Sequence, residues 1–147
     1  MLDNITHRNV RAAGINILRL LNNQPLHHYK LSLARLYTEE LVEKGTDNAV
    51  ARFNELKGDT ANYYLDENEM NGLAYAMVWD GRTTEALEVF RLNTILFPLS
   101  RNVYDSYADV LAKAGRKEAA ILMYQKAVQM NPNDDDGKRA LVELSKD

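Results

Sequence analysis

Cysteine is missing altogether from the 147 residues. That absence removes disulfides, thiolate metal sites and cysteine nucleophiles together. It fits the cytosol and equally well an exported protein that avoids thiols. Proline (3) and glycine (7) are scarce, and no segment sustains a period-two alternation of apolar and polar residues, so extended strands have little support. Charge of one sign is also short: 18 Lys and Arg against 21 Asp and Glu leave a net charge of -3. Phosphate neutralisation needs a basic excess, so nucleic acid is not an expected partner. No apolar run approaches the roughly 18–20 residues of a spanning helix, and the start, "MLDNITHRNVR", carries no apolar signal-peptide core. As it stands the chain reads as cytoplasmic.

What is present is a helical pattern. Hydrophobic residues make up 46% of the chain and charged ones 27%, enough for one core within a single domain. Apolar residues recur at helical spacing: Val10, Ala13, Ile17, Leu18 and Leu21, then Leu33, Leu36, Tyr37 and Leu41. The chain reads as all-α.

A longer period lies over the helical one. "MVWDGRTTEALEVFRLNTILFP" (Met77–Pro98) and "LAKAGRKEAAILMYQKAVQMNP" (Leu111–Pro132) align residue by residue. Gly81 pairs with Gly115, Ala86 with Ala120, Phe90 with Tyr124 and Pro98 with Pro132, each 34 residues apart. A constant period of 34 is the signature of the tetratricopeptide repeat, a helix–turn–helix unit. The glycines fall where the first helix must stop, since glycine takes the left-handed cap without a Cβ penalty. Ala74, Ala86, Ala108 and Ala120 are small where paired helices approach. Phe90 and Tyr124 fill the space between hairpins, and the prolines end each second helix. Asp66-x-x-Glu69 is written as a capping box, and Ser100 suits the cap of the following unit.

The flanks follow more loosely. "YKLSLARLYTEELVEKGTDNAVARFNELKG" repeats glycine, alanine and phenylalanine at Gly45, Ala49 and Phe53, but is one residue shorter from glycine to alanine and lacks the closing proline. The expected organisation is one domain over 1–147: an N-terminal helix and linker (5–28), a degenerate repeat (29–66), full repeats (67–100 and 101–134) and a capping helix (135–147). The expected architecture is a right-handed superhelical stack of antiparallel helix pairs, with roughly three units and caps sheltering one another's apolar faces.

The pair of repeats resembles something narrower than the generic unit. "FRLN" before "FP-S", followed by "NVYDS", is similar to the C-terminal repeat region attached to bacterial serine hydrolases of the β-lactamase/penicillin-binding class. Asn93 stands where the generic repeat wants alanine. The likeness runs from about Ile15 to Pro132 and is most specific from Gly81 onward. The nucleophile of that class, a serine with lysine three residues later, has no counterpart at Ser32, Ser100, Ser106 or Ser145. The resemblance therefore implies an accessory region without catalysis, located in the periplasm or cell envelope if it is the tail of an exported hydrolase.

Candidate chemistry is thin, and no cofactor is expected. His27 and His28 are adjacent, point apart on a helix and have no third ligand in sequence, so they make no metal site. His7 stands alone. "NPNDDDGKRALVE" places Asp134, Asp136, Gly137 and Glu143 as a calcium loop would, but Pro132 occupies the first ligand position; a helix cap is the expected use of these aspartates.

The remaining candidate is the concave surface, which in this repeat family is lined by each unit's first helix. The register assigns it Asn68, Asn71, Tyr75, Val78 and Trp79 from one repeat, and Asn102, Asp105, Ser106, Asp109 and Lys113 from the next. Trp79, the sole tryptophan, is either a binding anchor or a packed ring. Asp105 and Asp109 carry the wrong sign for an anionic tail, so a neutral or basic peptide or protein is the expected partner, with an attached or separate serine hydrolase domain among the candidates. The alternative from another class is homo-oligomerisation, with Met70, Met77 and the Met123–Met130 face supplying apolar area to a homo-dimer. A small self-contained hydrolase is the third reading, and no nucleophile–base pair supports it.

Overall fold

The computed structural model describes residues 13–146. His7, Val10 and the start of the expected N-terminal helix lie outside them. The described part of that helix, α1, covers 13–21. There follow β1 (Leu31–Ser32), α2 (Leu33–Lys44), α3 (Thr46–Leu56), β2 (Tyr63–Tyr64), α4 (Glu67–Trp79), α5 (Thr83–Leu96), α6 (Arg101–Lys113), α7 (Lys117–Met130) and α8 (Asp135–Leu144). The fold is all-α, a helical repeat of the tetratricopeptide kind. One addition was not foreseen: β1 and β2 pair in parallel over two residues, which ties the approach to α2 to the approach to α4.

The paired helices are α2 with α3, α4 with α5, and α6 with α7, and each hairpin packs on the next through α2–α4 and α5–α6. Small residues sit at the crossings as the sequence requires: Ala74, Ala86, Ala108 and Ala120 are all 0% exposed. Phe90 is likewise fully buried. Its ring meets Tyr75 edge-on at 5.0 Å in its own hairpin and stacks on Tyr107 of the next at 6.4 Å. One side chain thus belongs to two units, which is how a repeat that cannot bury its own apolar face shelters it on a neighbour. The main core runs from Leu33 through Phe53, Met70 and Met77 to Val89, Phe90 and Val110. A second cluster, Val103, Tyr104 and Ala127 with Phe97, Met123 and Met130 around it, fills the last hairpin. Met70 and Met77 are therefore core residues and supply no area to a dimer, a correction to the expectation above.

The helix starts keep one beat throughout. Ser32, Asp66, Ser100 and Asp134 are the N-cap residues of α2, α4, α6 and α8, at a constant spacing of 34. The first unit is in register at its start even though its turn is shorter. The glycine turns show where the residue was lost. At Gly81 (φ 78°) the chain is left-handed, and Arg82 N–H donates to Met77 C=O (2.8 Å) while Gly81 N–H donates to Val78 C=O (3.1 Å). This double closure is the Schellman arrangement, and Gly115 repeats it. Gly45 instead ends α2 and begins α3 by itself, at φ 84° and ψ 176°. A single residue serving both helices leaves no room for the Schellman pair.

At the far end α8 packs on α7. Asp134 Oδ1 accepts from Gly137 N–H at 3.2 Å, and Gly137 is buried. A Cβ there would lie 2.8 Å from Asp134 Oδ2 and 3.0 Å from Val128 Cγ2, so glycine permits both the cap and the close approach to α7.

Candidate functional site

Three first helices, α2, α4 and α6, lie side by side, α4 against α2 on one flank and against α6 on the other. Their shared face is the candidate site. At its centre Tyr75 of α4 faces α6, with Ser106, Asp109, Lys113 and Asp105 close enough to act on its charge. The 34-residue offset between repeats is what brings these residues together.

The ten expected positions divide into two groups. Asn71 and Ser106 are 7% and 8% exposed. Asn71 Nδ2 donates to Ser106 Oγ at 3.2 Å, while Asn71 Oδ1 accepts from Asn93 Nδ2 at 2.9 Å. These polar groups join α4, α5 and α6 internally and offer a groove occupant little. The physical reason is Asn93, fully buried where the generic repeat has a methyl group. Its amide also donates to Glu67 C=O at 3.1 Å, and a buried amide has to draw polar neighbours inward. The other eight are reachable. Asn68 and Asn102 are exposed, Tyr75, Val78, Asp105 and Asp109 half-buried, and Lys113 exposed. Trp79 is 90% exposed. It is not packed against a neighbouring helix.

The electrostatics of the face lean acidic. Lys113 Nζ holds Asp109 at 2.7 Å, so that carboxylate is locally matched. Arg101 lies 3.7 Å from Asp105 but 2.6 Å from Asp134; its main commitment is to the cap of α8. Burial raises the Asp105 carboxyl above its ordinary value; Arg101 pulls it down, while Asp134, Asp109 and Asp136 push it up again. The phenol of Tyr124, on the adjoining α7, is pushed up to about 12 by burial first and then by Asp109 and Asp105. Burial leads that shift, and the carboxylates add to it in the direction of a negative local field. Asn102 Nδ2 and Ser100 Oγ both donate to Glu67 Oε1, at 3.1 and 2.8 Å, adding a further carboxylate with no cation against it among these contacts.

Glu69 departs from its expected role. Asp66 Oδ1 accepts from Glu69 N–H at 2.8 Å, the first half of a capping box. The Glu69 carboxylate does not return to its own helix start. It accepts from Arg35 Nε and Ser32 Oγ, both at 2.8 Å, and so bolts α4 to α2. Ser100 behaves similarly, in cap position but with its hydroxyl on Glu67. Above the Arg35–Glu69 pair opens a cleft of about 430 Å³ lined also by Tyr64, Leu65 and Asp66. Sequence reasoning missed this cleft. The spacing of Arg35 and Glu69, one repeat length apart, was the signal that could have found it.

Elsewhere His27 and His28 are used locally. The His28 ring nitrogen Nε2 lies 3.2 Å from Ala61 C=O, and the His27 ring stacks on Tyr29 at 4.4 Å. Asp134 is occupied by its cap and by Arg101. Tyr104 is buried with its hydroxyl donating to Pro98 C=O at 3.1 Å, a packing role.

Compared with known families, residues 101–144 match the family model described as "Tetratricopeptide repeat". The match spans α6, α7 and α8, under a third of the chain. A comparison with curated proteins gave no match. The family match, together with the helical architecture, supports a tetratricopeptide repeat protein and, at the level of class, a protein–protein interaction module.

Proposed function

We propose that this chain is a non-catalytic interaction module, one domain over 1–147 with repeats at 67–100 and 101–134, whose concave face takes a peptide or a partner domain. The observation that carries the reading is the α4–α6 face itself. Tyr75, Val78 and Trp79 of α4 leave apolar surface to water, Asp105 and Asp109 of α6 act on the Tyr75 phenol, and the hydrogen bonds among Asn71, Ser106 and Asn93 use none of these five. Exposed aromatic area next to fixed charge is what binding faces offer. The acidic lean favours a neutral or basic occupant. The likeness of Gly81–Pro132 to the repeat tails of serine hydrolases supports a hydrolase domain, attached or separate, as one candidate for that occupant.

Trp79 gives the test. As the sole tryptophan it reports alone in fluorescence, and it holds the register position that Lys113 holds one repeat later. Titration with a lysine–alanine decapeptide is expected to shift its emission to the blue, with affinity falling as salt rises. A glutamate–alanine decapeptide is expected to do nothing. Equal responses to both peptides, or none to either, would remove the groove reading.

A further inference from the structure

We infer that α1 is a self-association helix whose outward face closes on the same face of a second copy of this chain. At about 100° per residue, the described residues of α1 divide into two arcs. Asn16 and Arg19 lie on one side, with Ile15 (46% exposed) at its margin, and the two polar side chains are turned toward the chain's own loop. Asn16 Nδ2 donates to His27 C=O at 3.0 Å and its Oδ1 accepts from His27 N–H at 2.8 Å, while Arg19 Nε donates to Pro25 C=O at 2.7 Å. The opposite arc, about 160° wide by the same geometry, carries Ala13, Gly14, Ile17, Leu18, Leu20 and Leu21, with no polar residue among them. Ile17 is 57% exposed, Leu18 and Leu20 61%, and Leu21 76%.

This is a surface helix turned inside out. An ordinary one packs its apolar stripe on the core and shows its polar side to water; here the polar side is hydrogen-bonded to the chain's own loop at Pro25 and His27 and the apolar arc is left to solvent. None of its residues belongs to either core cluster. The arc exposes on the order of 500 Å² per copy, near the top of the range for a single patch on a monomer. Two arcs closing on each other take roughly 1,000 Å² from water, the size at which specific interfaces begin.

The occupant is a second copy for three reasons. The arc bears no charge, so two identical faces do not repel. It bears no polar group, so nothing is left unsatisfied when it meets its own like. A two-fold pairing also needs only one patch, used twice. This surface is separate from the concave face and does not depend on what that face binds.

The test uses the full chain. Sedimentation velocity over a concentration series is expected to show a dimer for the wild type and a monomer for the double variant Leu20→Glu/Leu21→Glu, with unchanged far-ultraviolet circular dichroism. Leu99→Glu and Leu122→Glu, at positions 90% and 60% exposed elsewhere, are expected to leave the dimer intact. Because the chain has no cysteine, Ile17→Cys alone is expected to give a disulfide-linked dimer on mild oxidation, and Ser145→Cys is not. A wild type that stays monomeric at the highest concentration overturns the proposal. So does a dimer that survives the double variant, or one in which Ile17→Cys fails to cross-link. The Trp79 peptide titration, repeated on the double variant, reads the groove independently of either outcome.

Discussion

The hairpins closed by Gly81 and Gly115 and the hairpin closed by Gly45 perform one task with different turns. All three stack an alanine against the partner helix and an aromatic ring behind it: Ala86 and Phe90, Ala120 and Tyr124, Ala49 and Phe53, every one of them buried. The first two spend an extra residue on a Schellman turn; the third compresses cap and start into one glycine. Its register is nonetheless recovered by Asp66, 34 residues after Ser32. The lesson is that the spacing of first helices is the constrained quantity. Turn length within a hairpin can vary so long as the next cap falls in place, because a first helix takes part in each main contact between neighbouring hairpins, α2 with α4 and α6 with α5.

The most forceful way to break the comparison is at the aromatic position. Phe90 bridges two hairpins, whereas Phe53 meets Tyr37 of its own at 5.9 Å. Phe90→Ala is expected to cost about 3–5 kcal/mol in urea unfolding, with Phe53→Ala at the lower end of that range or below it. Equal losses would mean that the inter-hairpin stacking on Tyr107 contributes nothing.

Next in size is the buried amide. Asn93→Ala leaves Asn71 Oδ1 without its donor, and is expected to destabilise by about 1–3 kcal/mol. The double variant Asn71→Ala/Asn93→Ala is expected to cost less than the two single losses together, because the groups share one network. Strict additivity would dissolve that network.

The glycines sharpen the comparison further. Gly81→Ala is expected to cost roughly 1–2 kcal/mol, the penalty for a Cβ in the left-handed region, and Gly81→Asn less, since asparagine tolerates that region. At Gly45 the pairing of positive φ with extended ψ is open to glycine almost alone, so Gly45→Ala is expected to cost about 1–3 kcal/mol with no relief from asparagine. Thermal unfolding of the four variants decides it: rescue by asparagine at both sites would show that the two turns are alike after all.

The smallest effect is electrostatic. The Asp105 carboxyl is raised above its ordinary value in the folded chain, chiefly by burial. A carboxyl whose folded value is raised contributes stability that is present below its unfolded value and lost as pH climbs through the folded one. Asp105→Asn is expected to flatten the fall in stability that the wild type shows as pH rises from the ordinary carboxylate value. Parallel curves for the two proteins would contradict the shift.

Much of this was written plainly in the sequence. The 34-residue register, the glycine stops and the crossing alanines all act through local backbone chemistry or helix spacing, which a linear reading can follow. The burial of Asn71 and Ser106 was not legible. Both sit on the face that the register assigns to the groove, and only hydrogen bonds between helices, Asn93 to Asn71 and Asn71 to Ser106, draw them in. Glu69 was misread for a related reason: a capping box is a local pattern, and Arg35 competes for that carboxylate from the neighbouring unit. Met70 and Met77 looked available because hydrophobicity alone does not say which apolar residues reach the core. The inverted amphipathy of α1 escaped notice since its periodicity is that of any surface helix, and only Asn16 and Arg19 reveal which side faces home.

The central claim, that the face of α4 and α6 receives a protein segment, is tested most directly by nuclear magnetic resonance. The isotopically labelled chain would be titrated with the unlabelled lysine–alanine decapeptide. The account predicts saturable shifts at Tyr75, Asn102, Asp105, Asp109 and the Trp79 indole, with Asn71 and Ser106 moving little. Shifts confined to α5, α7 or α1, or no shift at saturating peptide, would contradict it.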